Sequence, residues 1–439
     1  MKKFMVIVLI AFTALVLIGC NKDDIDFNAT IPTDLEVGQT FTVSAKDLDD
    51  SPIDISKLSV VIKSGNTLVT LDGLSVTGVA VGSVTITVTY EEDGQSANKD
   101  YTFNVVASSV TFGLPTPQTG YYMKDADLIQ EENGSRILVY VSNASSGEED
   151  NVIQVSKGVL HDEGYAYAES STIIEPSNDG WDQFIGGPSI VKGEFSFNDT
   201  DYAYLMAYHG TDLTNENANS IGFAVSNDPE TGWTKVSDTP VLSYDRDVYG
   251  EAYAGFYAPS LVNLDKESIV RVFFTWADAF GHFAYFVDID ASNLNQMNIS
   301  GFAMAPNNGN LSTGEDVTMI PNASFAYDAE NHIFYMVKDY SPTPSREPQV
   351  ATRVEFAKIA EDELYTAQDI IGWQSLRVYD MFDTPEVLYE RLYSATLVTD
   401  EFGHILSESS FEIIYNVSEL EADNPDYIFS QKFLSFIFE

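Results

Sequence analysis

Carboxylates beside apolar runs are the residues best able to do chemistry in this chain. Asp125 and Asp127 alternate at the start of one such run, while Asp182 and Glu251 lie in aromatic, Gly-containing segments that lead into two others. Carboxyl groups of this kind serve as general acids and bases. The alternatives stay open at this point: Asp127 could bond backbone groups at a turn, and Asp182 and Glu251 could be solvated loop charges.

Polar residues also end several apolar runs. His209 closes the segment YLMAYHG, and Asp278 and Asp339 follow later runs of the same kind. His209 is expected to bond a ligand hydroxyl or to hold an ion or water in a cavity, with packing as the alternative. Asp278 and Asp339 are candidate ligand contacts. Histidines at 161, 282, 332 and 404 have the sequence context of surface or turn positions.

Aromatic side chains accompany these acids. Trp181, Tyr257 and Trp276 are the candidates for ligand platforms, although most of the 24 Tyr and 27 Phe must belong to the core. Flat rings stack on the C–H faces of sugars, while neighbouring carboxylates bond the hydroxyls. The combination suits sugar rings, such as those of a polysaccharide or an oligosaccharide.

Composition excludes several other classes. The 439 residues carry 22 Lys+Arg against 67 Asp+Glu, a net charge of −45, which disfavours nucleic acid and anionic membrane surfaces as partners. The alternative explanation of this charge is solubility. No HExxH motif, His/Cys cluster, calcium loop, GxSxG or phosphate loop occurs, so neither a catalytic metal nor a cofactor is expected. A structural calcium or water on the axis of the fold stays open.

These residues belong to a repeat. The pentapeptides DADLI, GPSIV, APSLV, NASFA and SATLV begin at residues 125, 187, 258, 322 and 394, and a turn and an aromatic-rich apolar run follow each. A third β-like run completes every unit. A period of roughly 60–70 residues with three or four strands per unit is typical of a β-propeller. The sequence predicts five blades, over residues 121–174, 180–243, 245–308, 311–371 and 373–439.

In such a fold the first strand of each blade lies nearest the axis, so five strand starts surround one funnel. The second strand runs antiparallel to the first, so its end returns to the same face. The pentapeptide starts and the second-strand ends should therefore line the funnel mouth. Asp265, Asp328 and Asp400 fall in hairpin turns on the opposite face and are predicted to form those turns.

The five pentapeptides, together with the segment NSIGFAVSNDPETGWTK at residues 219–235, resemble the five-bladed propeller glycoside hydrolases, with family 43 arabinanases and xylosidases and the related invertases nearest. The resemblance covers residues 121–439. It implies a general base at Asp125. The family's two other carboxylates correspond to Ala258 and Pro321 here, so its full triad does not carry over. Glu251, or alternatively Asp182, is the substitute proton donor.

The N-terminal part is expected to form a separate domain. Residues 26–107 alternate apolar and polar residues in short runs, which predicts a small β-sandwich. The stretch LSVTGVAVGSVTITVTY resembles bacterial Ig-like domains of the group-2 type, which implies a spacer. Residues 108–120 are rich in Ser, Thr, Pro and Gly and are predicted to be a linker, within which residues 110–114 could add the outer strand of the fifth blade.

The first residues have the pattern of a secretion signal. Residues 1–19 place two lysines before an apolar run that ends in LIGC, which resembles a bacterial lipobox and implies lipidation of Cys20. A short transmembrane anchor is the alternative. A tether at residues 20–25 follows, and its Lys-Asp-Asp resembles the surface-export signal of Bacteroidetes lipoproteins. The expected localisation is the outer membrane, exposed at the cell surface.

The sequence therefore predicts an all-β protein: an N-terminal Ig-like β-sandwich followed by a five-bladed β-propeller. As a hydrolase, it would use Asp125 to deprotonate water and Glu251 or Asp182 to protonate the leaving oxygen. Trp181, His209, Tyr257, Trp276 and the remaining acids would bind the glycan. The alternative function is a non-catalytic surface glycan-binding protein. A monomer is expected in either case.

Overall fold

Strands make up nearly all the regular structure of this chain. The computed structural model describes residues 25–439 except 37–39, 49–50, 93, 107–112, 116, 118–119, 147–149, 163, 213–217, 251, 280, 307–308, 311–319, 341–350, 352, 366–371, 381–390, 419–429 and 438–439. Within these residues the helical elements are α1 (Arg246–Tyr249) and 3₁₀ turns at Ile55–Lys57, Ala291–Gln296 and Asp362–Leu364. No helix in the described part is long and apolar enough to cross a membrane. The all-β prediction is confirmed.

The chain divides between Thr111 and Phe112 into two compact units. The first unit contains β1 (Phe27–Thr30), β2 (Asp34–Glu36), β3 (Thr40–Thr42), β4 (Ser44–Asp47), β5 (Leu58–Ser64), β6 (Val69–Asp72), β7 (Ser75–Gly78), β8 (Gly82–Glu92) and β9 (Gln95–Val106). They form three sheets, ordered β1-β4, β2-β9-β8-β5 and β3-β7-β6. Alternate residues of β8 are buried, so each strand turns one face to a single apolar core.

The second unit contains the remaining strands: β10 (Lys124–Gln130), β11 (Arg136–Asn143), β12 (Asn151–His161), β13 (Gly164–Tyr167), β14 (Ser171–Ile174), β15 (Phe184–Phe197), β16 (Thr200–Thr211), β17 (Ser220–Ser226), β18 (Thr234–Lys235), β19 (Ala252–Asn263), β20 (Ile269–Asp278), β21 (Gly281–Asp290), β22 (Asn298–Met304), β23 (Gly309–Asn310), β24 (Ser324–Asp328), β25 (Ile333–Tyr340), β26 (Arg353–Ala360), β27 (Trp373–Asp380), β28 (Arg391–Leu397), β29 (Thr399–Asp400), β30 (Ser410–Ser418) and β31 (Ser430–Ile437).

These strands form five sheets that follow the sequence repeat. Sheet 1 has the order β13-β12-β11-β10-β29, with β14 beside β12; sheet 2 is β15-β16-β17-β18 and sheet 3 is β19-β20-β21-β22. Sheet 4 is β23-β27-β26-β25-β24, and sheet 5 is β28-β30-β31. Within each sheet the strands of one repeat unit pair antiparallel as a meander, whereas the added strands β29 and β23 pair in parallel with β10 and β27. Apolar clusters between neighbouring sheets supply the core.

The first residue of every pentapeptide has a left-handed backbone. The φ angles are 49° at Asp125, 50° at Gly187, 47° at Ala258, 47° at Asn322 and 46° at Ser394. Gly, Asn and Asp adopt this conformation at the lowest cost, whereas a side chain such as that of alanine costs about 1–2 kcal/mol. In sheets 1, 2, 3 and 5 the strand register shifts at this residue. In these four sheets the repeated conformation is therefore a bulge that bends the first strand at the same point, whereas in sheet 4 Asn322 precedes β24.

The third residue of every pentapeptide joins its sheet to the next one. In each case a side-chain oxygen bonds a backbone group of the neighbouring first strand. The bonds link Asp127 to Ile190 N (2.8 Å), Ser189 to Leu261 N (3.0 Å), Ser260 to Phe325 N (3.0 Å), Ser324 to Leu397 N (3.2 Å) and Thr396 to Ala126 O (2.6 Å). The last bond returns to sheet 1, so the five sheets form a closed ring.

The connection between β28 and β30 of sheet 5 contains β29 and crosses the far ends of the other first strands. Residues 399–405, here called the plug hairpin, pair with β10 and accept backbone bonds through Glu401, Phe402 and Gly403 from Lys192, Asn263 and Tyr327, respectively. A Cβ on Gly403 would lie 2.7 Å from the carbonyl oxygen of Leu261, so only glycine permits this approach. The hairpin thus closes the axis at the end opposite the pentapeptide starts.

The turn-forming acids lie on this closed face, as predicted. Asp265 accepts the backbone N–H groups of Glu267 and Ile269, and Asp328 accepts those of Glu330 and Asn331. Asp400 likewise accepts those of Phe402 and His404. Each carboxylate therefore accepts hydrogen bonds from backbone N–H groups of a tight turn, in the place of a backbone carbonyl.

The segment predicted to complete the fifth blade differs from expectation. Gly113 pairs in parallel with Ala166 of β13, in sheet 1. Leu114 packs on an apolar cluster of sheets 1 and 5 that includes Leu128 and Ile414. Residues 110–112 lie outside the described residues. The described part of this segment thus adds to the outer edge of sheet 1, and its side chain packs at the junction of the first and last sheets.

Candidate functional site

The five strand starts surround one central pocket. Its volume is about 170 Å³, small beside the roughly 300–1,000 Å³ of pockets for drug-sized ligands. Every pentapeptide contributes its first three residues, and the other lining residues are His209 and Tyr257. The predicted lining by strand starts is confirmed, whereas His209 is the one predicted second-strand end among the described lining residues. The size of the pocket matches a single ring-sized ligand.

Asp125 is the carboxylate that the repeat brings to the pocket. The Ser394 hydroxyl donates to Asp125 Oδ1 at 3.0 Å, across the junction of sheets 1 and 5. The left-handed backbone at Asp125 re-aims its side chain relative to its neighbours along β10. One oxygen is therefore oriented by the protein, as a general base requires.

Asp127 also reaches the pocket but is engaged by the inter-sheet ring. Its two oxygens accept the backbone N–H groups of Leu128 and Ile190. Burial raises the pKa of Asp127 to about 6, although these hydrogen bonds and one from Ser189 lower it. Both contacts join the first two sheets. They support the structural role that the sequence also allows for this residue.

Asp339 lies directly behind the pocket wall. Its Oδ1 accepts the Ser394 N–H at 2.6 Å, and its Oδ2 accepts from Asn322 Nδ2 at 2.7 Å. Ser394 therefore links the carboxylates of Asp339 and Asp125. Burial raises the pKa of Asp339 to about 7, and the charge of Asp125 adds to this rise. The two carboxyl groups thus have different environments, a pattern that separates acid and base roles.

His209 lies on the pocket wall over two glycines. A Cβ on Gly186 would lie 2.6 Å from His209 Nε2, and one on Gly187 would lie 2.7 Å from Nδ1, so both glycines are needed to admit the ring. His209 Nδ1 accepts the Ala258 N–H at 3.3 Å, which leaves the proton on Nε2. Burial lowers the pKa of His209 to about 4, although the charge of Asp125 opposes this. The imidazole is neutral near pH 7.

Tyr257 lines the pocket from sheet 3, and a second histidine supports it. The Tyr257 hydroxyl and His282 Nδ1 are 2.7 Å apart. His282 is 7% exposed and lies within β21, so its predicted surface or turn position is wrong, whereas His404, although 5% exposed, lies in the turn of the plug hairpin, one of the two predicted positions. Burial lowers the pKa of His282, and the charge of Asp278 opposes this. Asp278 ends β20 and accepts the Gly281 N–H at 3.2 Å.

Three other predicted site residues lie away from the pocket. Asp182 is 2% exposed, pairs with Lys235 at 2.7 Å and accepts the Tyr208 hydroxyl at 2.9 Å. Trp181 stacks on Tyr208, and Trp276 packs in an aromatic cluster on sheet 3. The structure does not bring these side chains to Asp125, because each is used in packing within or between sheets. A proton-donor role for Asp182 is therefore not supported.

Two residues with predicted roles lie outside the described residues. Glu251, the first candidate proton donor, lies outside the described residues, as does Cys20. Within the described part of the chain, no group of three or more His, Cys, Asp or Glu side chains is arranged to hold a metal ion.

Comparison with known proteins shows similarity to solved structures in the backbone fold alone. No protein-family model and no curated protein matches the chain. A family 117 glycoside hydrolase of the marine bacterium Zobellia galactanivorans matches with a TM-score of 0.48 and 10% identity, over 75% of this chain and 88% of that one.

Two arabinan-degrading enzymes give similar values. The endo-arabinase of Bacteroides thetaiotaomicron has a TM-score of 0.42 and 10% identity, over 74% and 98% of the two chains. The Bacillus subtilis arabinanase matches with a TM-score of 0.45 and 12% identity, over 73% of this chain and 96% of that one.

The titration of Asp339 should appear in the pH dependence of stability. Its pKa in the folded chain, about 7, exceeds the ordinary value of 3.8. Between these two values the unfolded chain has released the proton that the folded chain retains, so the free energy of unfolding falls as pH rises through this window. Urea unfolding at about pH 5 and about pH 8 should show a larger loss for wild type than for Asp339→Asn. Equal losses in the two proteins would contradict the assignment.

Proposed function

We propose that this chain binds a sugar ring in the central pocket and hydrolyses its glycosidic bond, with Asp125 as the general base. The observation that carries the proposal is the placement of Asp125: its carboxylate lies in a ring-sized pocket, oriented by Ser394 and close to the neutral imidazole of His209. A carboxylate held in this way takes a proton from an attacking water. The sequence resemblance to family 43 supports the same role for Asp125.

The other pocket residues have roles in binding. His209 lines the pocket as a neutral imidazole, while Asn322 and Ser394 are hydrogen-bonded to Asp339 at the starts of sheets 4 and 5. Such neutral polar groups suit the hydroxyls of an uncharged sugar. Asp339 is a positioning residue in this proposal, because it contacts the pocket wall rather than its interior.

Glycan binding without hydrolysis is the second candidate, and one observation favours it. Among the described pocket residues the carboxylates are Asp125 and Asp127, and Asp127 is bonded into the inter-sheet ring. At Ala258 and Pro321, where the resemblance implies further acids, none is present. An enzyme of this kind then needs a proton donor of another type or from another segment.

A screen with wild type and Asp125→Asn separates the two functions. Polysaccharides and aryl glycosides are incubated with each protein, and both turnover and binding are measured. Turnover by wild type that is lost in the variant supports hydrolysis. Binding by both proteins without turnover by either selects the glycan-binding function, and neither binding nor turnover would contradict both.

The architecture proposed around this pocket is a five-bladed β-propeller. The five sheets, the closed ring of inter-sheet bonds and the shared pocket support it. The N-terminal unit is proposed to be an Ig-like spacer, and a monomer is proposed because the net charge of −45 opposes self-association.

The proposed anchor is a lipid on Cys20, which would hold the chain at the outer surface of a Bacteroidetes outer membrane. The lipobox-like LIGC and the acidic residues after it support this proposal. Cys20→Ala should move the protein from the membrane fraction to the soluble fraction, as seen by immunoblotting. Retention of the variant in the membrane fraction would count against lipid anchoring.

A further inference from the structure

We propose that Asp339 positions the general base Asp125 through Ser394, so that a carboxyl group on sheet 4 acts on the chemistry of sheet 1 by way of sheet 5. This inference rests on the proposed hydrolytic function. It places Asp339 and Ser394 on one path, in which each residue acts only through the next. Asp339 is a positioning residue, and Asp125 is the group that meets the attacking water.

The path consists of two hydrogen bonds that share Ser394. Its backbone N–H donates to Asp339 Oδ1 at 2.6 Å, and its hydroxyl donates to Asp125 Oδ1 at 3.0 Å. Only Cα and Cβ separate the N–H nitrogen from the hydroxyl oxygen. Once the backbone is fixed, the hydroxyl oxygen is limited to three staggered positions, and the one observed reaches Asp125.

Ser394 needs a partner such as Asp339 because its own strand does not supply one. The register of β28 against β30 shifts between Tyr393 and Thr396, so Ser394 lies in the bulge and outside the ladder. Its φ of 46° is left-handed, which costs a residue with a Cβ about 1–2 kcal/mol. Asp339 accepts the N–H that the ladder does not use. It therefore stabilises the backbone conformation from which the hydroxyl reaches Asp125.

Asp339 is itself held firmly enough to act as a support. The residue is 4% exposed, and its Oδ2 accepts from Asn322 Nδ2 at 2.7 Å. Its backbone N–H donates to the carbonyl oxygen of Pro321 at 3.3 Å. Both contacts are with the start of sheet 4. A buried carboxyl group with a partner on each oxygen has little freedom to turn, so it can hold Ser394 in one place.

A similar arrangement between sheets 2 and 3 shows that this support is a built feature of the ring. Ala258 also lies in a bulge, with a φ of 47°, and its N–H donates to His209 Nδ1 at 3.3 Å. In both cases the acceptor is a side chain near the end of the second strand of the preceding sheet. Ala258 has no hydroxyl to extend the contact, whereas Ser394 has one that bonds Asp125. The second bond therefore adds a connection to the base.

The first test removes each member of the path in turn. The substrate is the glycoside that wild type accepts in a panel of dinitrophenyl pentosides and hexosides. Asp339→Ala should lower kcat by about 10- to 100-fold with little change in KM, because the base is misplaced while the pocket is kept. Ser394→Gly accepts the left-handed backbone at lower cost, so it should fold at least as stably as wild type and still lose kcat to a similar extent.

Asp339→Asn separates hydrogen bonding from the presence of the carboxyl charge. The amide oxygen can still accept the Ser394 N–H, and the amide nitrogen can donate to the oxygen of Asn322 once that side-chain amide is reversed. Most of the kcat that Asp339→Ala loses should therefore be recovered. A loss in Asp339→Asn as large as that in Asp339→Ala would overturn positioning by hydrogen bonds.

Asp328→Asn is the matched control for Asp339→Asn. Asp328 belongs to the same sheet and is also 4% exposed, but it bonds a turn on the closed face. This variant should keep the kcat and KM of wild type. Asp339→Leu, which fills a similar space without an acceptor, takes the place of Asp339→Ala if that variant fails to fold.

The double variant Asp339→Ala with Ser394→Gly decides whether the two residues act in series. If they do, its kcat should equal that of the more impaired single variant. Losses that multiply in the double variant, or wild-type kcat in Asp339→Ala, would overturn the path and leave hydrolysis by Asp125 intact. Absence of turnover by wild type on every dinitrophenyl glycoside would overturn the hydrolytic function and this inference together.

Discussion

Asp125→Asn should reduce hydrolysis by about 10²- to 10⁴-fold, the contribution of a positioned general base. The amide keeps the shape of the carboxylate and an oxygen that accepts the Ser394 hydroxyl, so the contact between sheets 1 and 5 should persist. It has no lone pair basic enough to take a proton from water. kcat should fall far more than KM changes, because binding to the ring of neutral pocket residues is preserved.

Asp265→Asn is the matched control for this variant. Asp265 carries the same chemical change on an exposed turn at the closed face, where it bonds Glu267 and Ile269. Its activity should equal that of wild type. Full activity of Asp125→Asn on a substrate that wild type hydrolyses would show that another group is the base.

Lys338→Met should lower the free energy of unfolding by about 3–5 kcal/mol, the usual cost of removing one partner of a buried ion pair. Lys338 Nζ lies 3.3 Å from Glu355 Oε2, and the two side chains are 1% and 0% exposed. Burial lowers the pKa of Lys338, because this site disfavours an isolated charge. Urea unfolding followed by tryptophan fluorescence measures the loss.

The double variant Lys338→Met with Glu355→Gln tests the cause. Glutamine keeps the shape of Glu355 and removes its charge, so the double variant should recover most of the lost stability. Losses that simply add would show that packing, and not the uncompensated carboxylate, accounts for the effect. Lys266→Met is a surface control, because Lys266 meets Asp400 at 3.5 Å while 49% exposed, and such pairs contribute little.

The repeat predicted the meander sheets and the common pocket because both follow from local rules. Each pentapeptide needs a left-handed residue and then a small polar side chain that bonds the next strand, and these needs leave the same trace in all five copies. The first position varies among Asp, Gly, Ala, Asn and Ser because the left-handed backbone restricts the residue type there as much as the chemistry of the pocket does. A loss of acids along the repeat is therefore weaker evidence against activity than the sequence alone suggested.

The errors at the site have a different origin. Asp182 and Trp181 precede a strand start, as ligand contacts would. In the structure Asp182 pairs with Lys235 and Trp181 stacks on Tyr208, and both partners come from later strands of the same sheet. His282 follows a turn, which made it resemble a surface residue, yet Tyr257 from the first strand of the same sheet lies against it. Partnerships of this kind join residues far apart in sequence, and no local pattern reveals them.

The plug hairpin and the closed ring also determine when this chain can finish folding. Thr396 bonds Ala126 across 270 positions, and the Lys192 pair of Glu401 spans 209. Contacts this distant in sequence give a high contact order. Folding is then slow, because the entropy of closing a long loop is lost before the distant contacts can stabilise the structure. During synthesis the first four sheets are made before sheet 5 and the plug hairpin. Sheet 1 then lacks its neighbour in the ring, and the end of the pocket opposite the pentapeptides is not closed. Until sheet 5 is made, the nascent chain exposes apolar edges, and its dependence on chaperones should be greatest over this last interval.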